Sequence, residues 1–210
     1  SSVRTSSNYR DSSGSAGDEY FVVAKRGNGE GMDTSKVVKA WSDVYMTVDI
    51  DRPASVKMNG SEVTYSPNDC SVGDVDADGE YEIILKWEPS NSQDNSKGGK
   101  TANVYFDCYK LDGTKLWRID MGQNIRAGAH YTQFMVYDLD GDGMAEMACK
   151  TAPGTVDGRG DYVSEAGVTE DIRTVDNSRA YANSGGWILN GPEFLTVFSG
   201  KTGEALTTID

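Results

Sequence analysis

The sequence predicts an all-β protein in two parts, a partial fibronectin- or immunoglobulin-like sandwich followed by the first blades of a β-propeller. Three observations support this prediction. The β-prone runs are short and separated by glycine-rich turns, a unit of several such runs occurs twice, and no segment of useful length has helical periodicity. We place the boundary between the two parts at residues 66 and 67.

The first part, residues 1–66, is predicted to be the later portion of the sandwich. Its first 18 residues are rich in serine and glycine and indicate a loop. The glycine-rich stretch at 27–31 predicts a hairpin loop after the first β-prone run. The β-prone runs lie at residues 20–24, 36–41 and 44–50, which is too few strands to close a sandwich.

The second part, residues 67–210, contains the repeated unit. The first unit has an acidic loop at 73–82, a strand at 81–87 and a hairpin over 103–120. The second has a strand at 134–137, an acidic loop, a strand at 145–150, a glycine-rich excursion at 153–186 and a hairpin over 194–210. Two units cannot close a ring, and an open pair leaves strand edges exposed. We therefore expect the remaining blades to belong to a second chain or to a segment missing from this one.

The two acidic loops share the pattern D-x-D-x-D-G-x-x-E, beginning at Asp74 and at Asp138. Ca²⁺ binds about six to eight oxygen atoms, and a tight loop supplies them from alternate positions. The glycine at position six permits the sharp turn, and position seven offers its backbone carbonyl. The predicted calcium ligands are Asp74, Asp76, Asp78, Glu80 and Glu82 in the first loop and Asp138, Asp140, Asp142, Met144 and Glu146 in the second.

The alternatives to a calcium site are an EF-hand and a solvated acidic turn. An EF-hand places its closing glutamate at position twelve and is flanked by helices. Position twelve holds Leu85 and Cys149 here, and strands follow, so an EF-hand is excluded. The same pattern at the same place in two units favours Ca²⁺ over a chance acidic turn. Ions bound there would stabilise the blades without taking part in chemistry.

Charge and cysteine content exclude several classes of function. Acidic residues outnumber basic ones 33 to 20, so no basic surface for nucleic acid is expected. No apolar run approaches the ~18 residues of a membrane helix. The three cysteines form no close pair, and Cys108 and Cys149 are predicted to be small buried residues.

Long segments of this part resemble the rhamnogalacturonan lyases of polysaccharide lyase family eleven. They are NDCSVGD at 68–74, LKWEPSNS at 85–92, KLDGTKLWRID at 110–120, NIRAGAHYTQF at 124–134 and GPEFLTVF at 191–198. The resemblance implies an eight-bladed, Ca²⁺-dependent, secreted enzyme. It implies cleavage of the rhamnose–galacturonate backbone of pectin, a pectic polysaccharide, by β-elimination.

The resemblance also implies that Asn68 and Glu88 hydrogen-bond the sugar, although the family commonly has aspartate where this chain has Glu88. The alternatives are that Asn68 is a turn residue before the acidic loop and that Glu88 is a charged strand end before Pro89. No catalytic base is assigned in this chain. The competing function is a non-catalytic, Ca²⁺-dependent propeller that binds carbohydrate or protein without cleaving a bond.

Four further residues could have functional roles, but a structural role is favoured for each of them. His130, the single histidine, is interpreted as a packed, hydrogen-bonded residue. Trp87 and Trp117 lie in predicted strands, where packing in the core explains them better than stacking on a sugar. For Arg126 an ordinary salt bridge is expected.

Overall fold

A computed structural model describes residues 8–210, and its secondary structure confirms the all-β class. Within these residues the helical structure amounts to a 3₁₀ turn at Val163–Ala166 and one α-helical turn at Glu170–Arg173, both in the predicted excursion. No helix in this part of the chain has the length and hydropathy needed to cross a membrane. The chain divides into two compact units, Ser1–Thr47 and Val48–Asp210.

Over residues 8–47 the first unit contains four short strands: β1 (Glu19–Tyr20), β2 (Val23–Lys25), β3 (Gly31–Thr34) and β4 (Val38–Lys39). Strands β2 and β3 form an antiparallel hairpin, which confirms the turn predicted at 27–31. The strand predicted at 44–50 is wrong, because that segment forms no strand. Of the predicted N-terminal loop, residues 1–7 lie outside the described residues. The sandwich character of residues 1–66 stays a prediction.

The second unit begins with a small hairpin, β5 (Val56–Met58) and β6 (Ser61–Val63). Its turn residues Asn59 and Gly60 have φ of 51° and 80°, the left-handed values that a tight two-residue hairpin turn requires. A four-stranded antiparallel sheet follows, sheet 1, in the order β10-β9-β8-β7. Its strands are β7 (Tyr65–Gly73), β8 (Glu82–Pro89), β9 (Tyr105–Tyr109) and β10 (Lys115–Asp120).

Sheet 2 has the same up-and-down plan, in the order β11-β12-β13-β14. Its strands are β11 (Phe134–Tyr137), β12 (Glu146–Thr151), β13 (Phe194–Ser199) and β14 (Ala205–Ile209). Each acidic loop joins the first two strands of its sheet. Neither sheet closes on itself, so the propeller stays a prediction.

The main core lies between the two sheets. Ile84, Phe106 and Cys108 of sheet 1 form one apolar cluster with Met147 and Phe198 of sheet 2, and each of the five is fully buried. Burying such side chains stabilises the fold by about 1.5–3 kcal/mol for each large one. The predictions of a buried Cys108 and a buried Cys149 are confirmed.

Trp117 joins this core, and its indole nitrogen donates to the carbonyl of Gly200 at 2.6 Å. The outer face of sheet 1 buries Trp87 together with Val63, Tyr65 and Tyr109. Both tryptophans are therefore core residues, as predicted.

The outer face of sheet 1 also buries a charge. Asp107 is fully buried and accepts hydrogen bonds from the Trp87 indole at 2.8 Å and the Tyr109 hydroxyl at 2.5 Å. Arg118 donates two more at 2.6 Å each and also reaches the carbonyl of Asp51 at 2.5 Å. A buried carboxylate is tolerated when paired and fully hydrogen-bonded, as here.

The outer face of sheet 2 has no such cover among the described residues. Met135, Tyr137, Leu195 and Ile209 are 54%, 68%, 47% and 42% exposed. The register pairs Leu195 with Ile209, and alternation along β11 places Met135 and Tyr137 on one face. This exposed face is apolar except for Lys150, the partner of Leu195, and it distinguishes the outer surface of sheet 2 from that of sheet 1.

Candidate functional site

The two acidic loops fold alike. In the first, Asp74 accepts backbone hydrogen bonds from Asp78 at 3.2 Å and Gly79 at 2.9 Å, and Glu82 accepts one from Val75 at 2.9 Å. In the second, the equivalent bonds run to Asp138 from Asp142 at 3.1 Å and from Gly143 at 3.0 Å, and to Glu146 from Leu139 at 2.8 Å. Gly79 and Gly143 have φ of 89° and 91°, so glycine at position six meets a real conformational need.

Both loops gather carboxylates closely enough to hold a cation. One oxygen each from Asp74, Asp76 and Asp78 lies within 4.8 Å of the others, and the same is true of Asp138, Asp140 and Glu146. One buried oxygen of Asp76 has no hydrogen-bond partner. These features fit a hard cation such as Ca²⁺. Glu82 and Asp142 lie outside these two groups, and the calcium-ligand roles of all ten predicted residues stay predictions.

The loops differ in how their charge is compensated. Lys110, which follows β9, places its ammonium group 2.7 Å from Asp76, 3.2 Å from Asp78 and 3.5 Å from Glu82. Its hydrogen bonds to Asp76 and then Asp78 raise the pKa of Lys110 above its usual range. A lysine of the chain thus neutralises part of the first loop, a feature the sequence analysis missed.

No described lysine or arginine forms an ion pair with the second loop. The segment equivalent to Lys110 there is Ser199-Gly200, which carries no charge. Burial, and then the neighbouring carboxylates of Asp140, Asp142 and Asp138, raise the pKa of Glu146. The charge of the second loop is therefore balanced less by described residues of the chain than that of the first.

Asn68 and Glu88 lie at the end of sheet 1 opposite its acidic loop. The regular pairing of β7 with β8 is interrupted between Pro67 and Cys70, and Asn68 lies in this bulge. Its side-chain amide donates to a Glu88 carboxylate oxygen at 2.6 Å. The structure thus brings together two residues that are far apart in sequence, and bulges commonly direct side chains toward binding sites.

A second polar pair adjoins them, and the sequence analysis did not include it. Lys86 is buried in β8 and pairs at 2.5 Å with Asp69, whose side chain is 70% exposed. A lysine within the apolar run of β8 was the available signal, because a buried lysine needs a partner. Together Asn68, Asp69, Lys86 and Glu88 form the polar cluster of sheet 1.

Two of the structural interpretations need correction. His130 is hydrogen-bonded, to Asp94 at 2.8 Å, but its side chain is 62% exposed and not packed. Arg126 is buried and forms no salt bridge with any residue that the structure describes. Its guanidinium donates instead to the backbone carbonyls of Asp94, Lys97 and Gly99 and to the hydroxyl of Tyr131. Arg126 thus holds the polar loop that follows β8.

Comparisons with known proteins identify the family of the chain. Residues 45–210 match the model for the rhamnogalacturonan lyase family 11 C-terminal domain, and the chain belongs to this family. The resemblance noted in the sequence is confirmed.

The chain is 54% identical to the rhamnogalacturonan endolyase YesW of Bacillus subtilis over 96% of its own length and 31% of that protein. It is 51% identical to the rhamnogalacturonan exolyase YesX of the same organism, over 99% of this chain and 32% of YesX. The solved rhamnogalacturonan lyase PL11 of Bacillus licheniformis is similar at a TM-score of 0.86 and 51% identity, covering 96% of this chain and 33% of that one. The chain thus spans about a third of the relatives that it matches.

Proposed function

We propose that this chain is part of a Ca²⁺-dependent lyase that cleaves the rhamnose–galacturonate backbone of pectin by β-elimination. The observation that carries the proposal is the Asn68–Glu88 pair in the β7 bulge, within a chain 51–54% identical to two rhamnogalacturonan lyases. Of these relatives, one is named an endolyase and the other an exolyase. The position of the cut along the polymer is therefore not part of the proposal.

The polar cluster suits the binding of a sugar hydroxyl. Glu88 accepts a hydrogen bond from Asn68, and the amide oxygen of Asn68 remains to accept one from a ligand. Buried Lys86 lies beside the pair, and Asp69 balances its charge. β-Elimination removes the C5 proton of a uronate and adds negative charge next to its carboxylate, so nearby cations stabilise the transition state. The catalytic base is not assigned to this chain.

Calcium belongs to the proposal through the two acidic loops. Bound Ca²⁺ would supply positive charge that holds the carboxylates of each loop together. The candidate ligands for which the geometry supports this are Asp74, Asp76 and Asp78 in one loop and Asp138, Asp140 and Glu146 in the other. The first loop lies at the end of sheet 1 opposite Asn68 and Glu88, which favours a stabilising role for an ion bound there.

A propeller is the architecture we propose for the complete protein. The exposed apolar face of sheet 2, which includes Met135, Leu195 and Ile209, suits packing against a further sheet. The coverage of about a third of each relative agrees with further blades outside this chain. Secretion is proposed from the family resemblance, and the presence of the protein in culture medium would test it.

The test is the release of unsaturated oligosaccharides from rhamnogalacturonan by the complete protein assembly with Ca²⁺. Unsaturated products absorb in the ultraviolet, and we expect absorbance to rise in the wild type and hardly at all in Asn68→Ala. Binding of the polymer without any ultraviolet-absorbing product would overturn the lyase proposal and favour a binding propeller. Normal activity in both Asn68→Ala and Glu88→Ala would remove the assigned roles of the two residues.

A further inference from the structure

A cavity of about 250 Å³ lies where the loop from β10 enters β11, beside the segment around Trp187. It is smaller than the ~300–1,000 Å³ pockets that enclose drug-sized ligands, so it offers room for about one sugar ring. Aligning Asp74 with Asp138 and Glu82 with Glu146 places Thr132 at the position of Asn68, and Lys150 at that of Lys86. Both residues line the cavity. The cavity is therefore the counterpart in sheet 2 of the polar cluster of sheet 1.

Thr132 is unusual in two independent respects. Its φ is 59°, in the left-handed region that β-branched residues avoid. It is only 7% exposed, and its hydroxyl has no hydrogen-bond partner. A strained backbone and an unpaired buried hydroxyl both cost free energy, and such features concentrate where a protein holds a ligand. A ligand oxygen in the cavity would give this hydroxyl its partner.

The charge of the lining selects the kind of ligand. Arg126 is buried, yet its hydrogen bonds go to neutral groups, and none of the described carboxylates forms an ion pair with it. The two carboxylates nearby are already engaged, Glu193 with Lys150 at 2.7 Å and Asp94 with His130 at 2.8 Å. The N–H groups of Arg126 are all engaged, so it acts on a ligand through its charge, and a buried cation without an ion-pair partner favours an anion.

Aromatic rings complete the cavity. The Arg126 guanidinium lies over the rings of Tyr131 and Trp187, 5.6 and 5.9 Å from their centroids. The indole nitrogen of Trp187 donates to the carbonyl of Asn95 at 3.1 Å, which fixes the ring. A flat apolar ring beside a few fixed polar groups is a common way to hold a small ligand in a defined orientation.

We propose that this cavity is a second saccharide subsite, which holds a uronate residue of the polymer. Thr132 hydrogen-bonds the sugar, Arg126 supplies positive charge for its carboxylate, and Trp187 supports the ring. Lys150 exchanges the exposed Glu193 carboxylate for that of the sugar. The ligand class rests on the proposed function, since the pectic backbone alternates neutral and acidic sugars. The subsite binds and positions the polymer and takes no part in bond cleavage.

The test measures binding of a galacturonate-containing rhamnogalacturonan oligosaccharide by calorimetry, in the complete assembly carrying Asn68→Ala to prevent cleavage. We expect Thr132→Val, which keeps shape and backbone preference but lacks the hydroxyl, to weaken binding about fivefold. Trp187→Ala should weaken it about tenfold. Thr132→Ser should bind like the parent, and Thr174→Val, whose hydroxyl bonds the Glu170 carbonyl far along the chain, serves as the matched control.

Two further measurements fix the interpretation. The carboxyl-reduced oligosaccharide should bind about tenfold more weakly than the acidic one, and this difference should shrink in Lys150→Met. Equal affinity of both oligosaccharides, or unchanged affinity in both Thr132→Val and Trp187→Ala, would overturn the subsite. Cleavage assays on the same variants with Asn68 restored separate the two proposals. If the assembly cleaves the polymer and Thr132→Val has no effect, the subsite proposal fails and the lyase proposal stands. If Thr132→Val weakens binding but no cleavage product forms, the lyase proposal fails and the subsite proposal stands.

Discussion

Sheet 1 and sheet 2 share one plan, an up-and-down sheet whose first two strands are joined by an acidic loop, yet they are completed differently. In sheet 1, residues of the chain balance the loop charge and cover the outer face. Lys110 neutralises part of the loop charge, and Arg118 and residues 51–65 lie over the outer face. Sheet 2 has an acidic loop without a counter-ion and an apolar outer face without a cover among the described residues. A repeated sequence pattern can therefore determine the order and pairing of the strands without determining which groups balance the loop charge or cover the outer face of each sheet.

The largest expected difference between the sheets concerns cleavage. Asn68→Ala and Glu88→Ala in sheet 1 should each lower kcat/KM on the order of 100-fold, because misplacement of the substrate by about 1 Å has that effect. Thr132→Val in sheet 2 should act mainly on KM. Steady-state assays of ultraviolet-absorbing product check both expectations. Equal losses of kcat in the two sheets would contradict the different roles proposed for Asn68 and Glu88 and for Thr132.

The second largest expected difference is the loss of stability of each acidic loop when calcium is removed. Ca²⁺ at about 100 times its dissociation constant stabilises a site by about 2.7 kcal/mol, so a chelator should lower Tm by several degrees. Asp140→Asn should remove most of this dependence, because no described lysine or arginine pairs with the second loop in place of the ion. The measurement is thermal unfolding with millimolar Ca²⁺ and with chelator.

Lys110→Met is the matched variant for the first loop. It removes the resident cation, so it should lower stability in chelator and make the recovery with Ca²⁺ larger than in the wild type. Destabilisation by Lys110→Met that is identical with and without Ca²⁺ would show that the lysine and the metal do not share these carboxylates.

Position four of the two loops offers a smaller and cleaner comparison. Ala77 and Gly141 both have left-handed φ, 61° and 83°. Gly141→Ala should therefore cost about 1 kcal/mol of unfolding free energy, whereas Ala77→Gly should be neutral or slightly stabilising. Urea titration of both variants in saturating Ca²⁺ gives the two values. Destabilisation of the same size in both would indicate that the turns are not equivalent.

The smallest expected effect concerns the last residue of each hairpin. Burial raises the pKa of Asp120, which is hydrogen-bonded by Gly122 and Asn103. A raised pKa in the folded state means that Asp120 lowers stability above that pKa, and that the penalty disappears as pH falls through it toward the unfolded value. Asp120→Asn keeps an acceptor oxygen and should gain up to about 1 kcal/mol at pH 7.

The control for Asp120 is Asp210, the equivalent position in the second hairpin, which is exposed. Asp210→Asn should leave the unfolding free energy unchanged at every pH. A pH dependence of stability that is the same in wild type and Asp120→Asn between pH 4 and 7 would show that the carboxyl of Asp120 is not destabilising.

Much of the fold was accessible from local sequence patterns. Strand β8 follows from its apolar run, and the hairpins from their glycines, since Gly113 and Gly203 have φ of 88° and 70°. Strand β7 was missed in the sequence because Ser66, Asn68 and Asp69 interrupt its alternation and a bulge shifts its register. Alignment of this segment with β11 would have indicated a strand, because an acidic loop of the same pattern follows both segments.

The candidate site was only partly accessible in the same way. The acidic loops are local and were predicted with their ligands, and whether they bind Ca²⁺ stays a prediction. Lys110 lies 34 residues from Asp76, so only the pairing of β8 with β9 brings the two together. The strain at Thr132 and the uncompensated charge of Arg126 are properties of the fold and have no signature in the sequence.

The cover on the outer face of sheet 1 determines which pieces of the protein can be made separately. Val63 and Tyr65 shield Trp87, and the carbonyl of Asp51 receives Arg118, the partner of buried Asp107. An expression fragment beginning at residue 67 would leave an indole and an ion pair facing water. Fragments for crystallisation or labelling should therefore start upstream of Asp51.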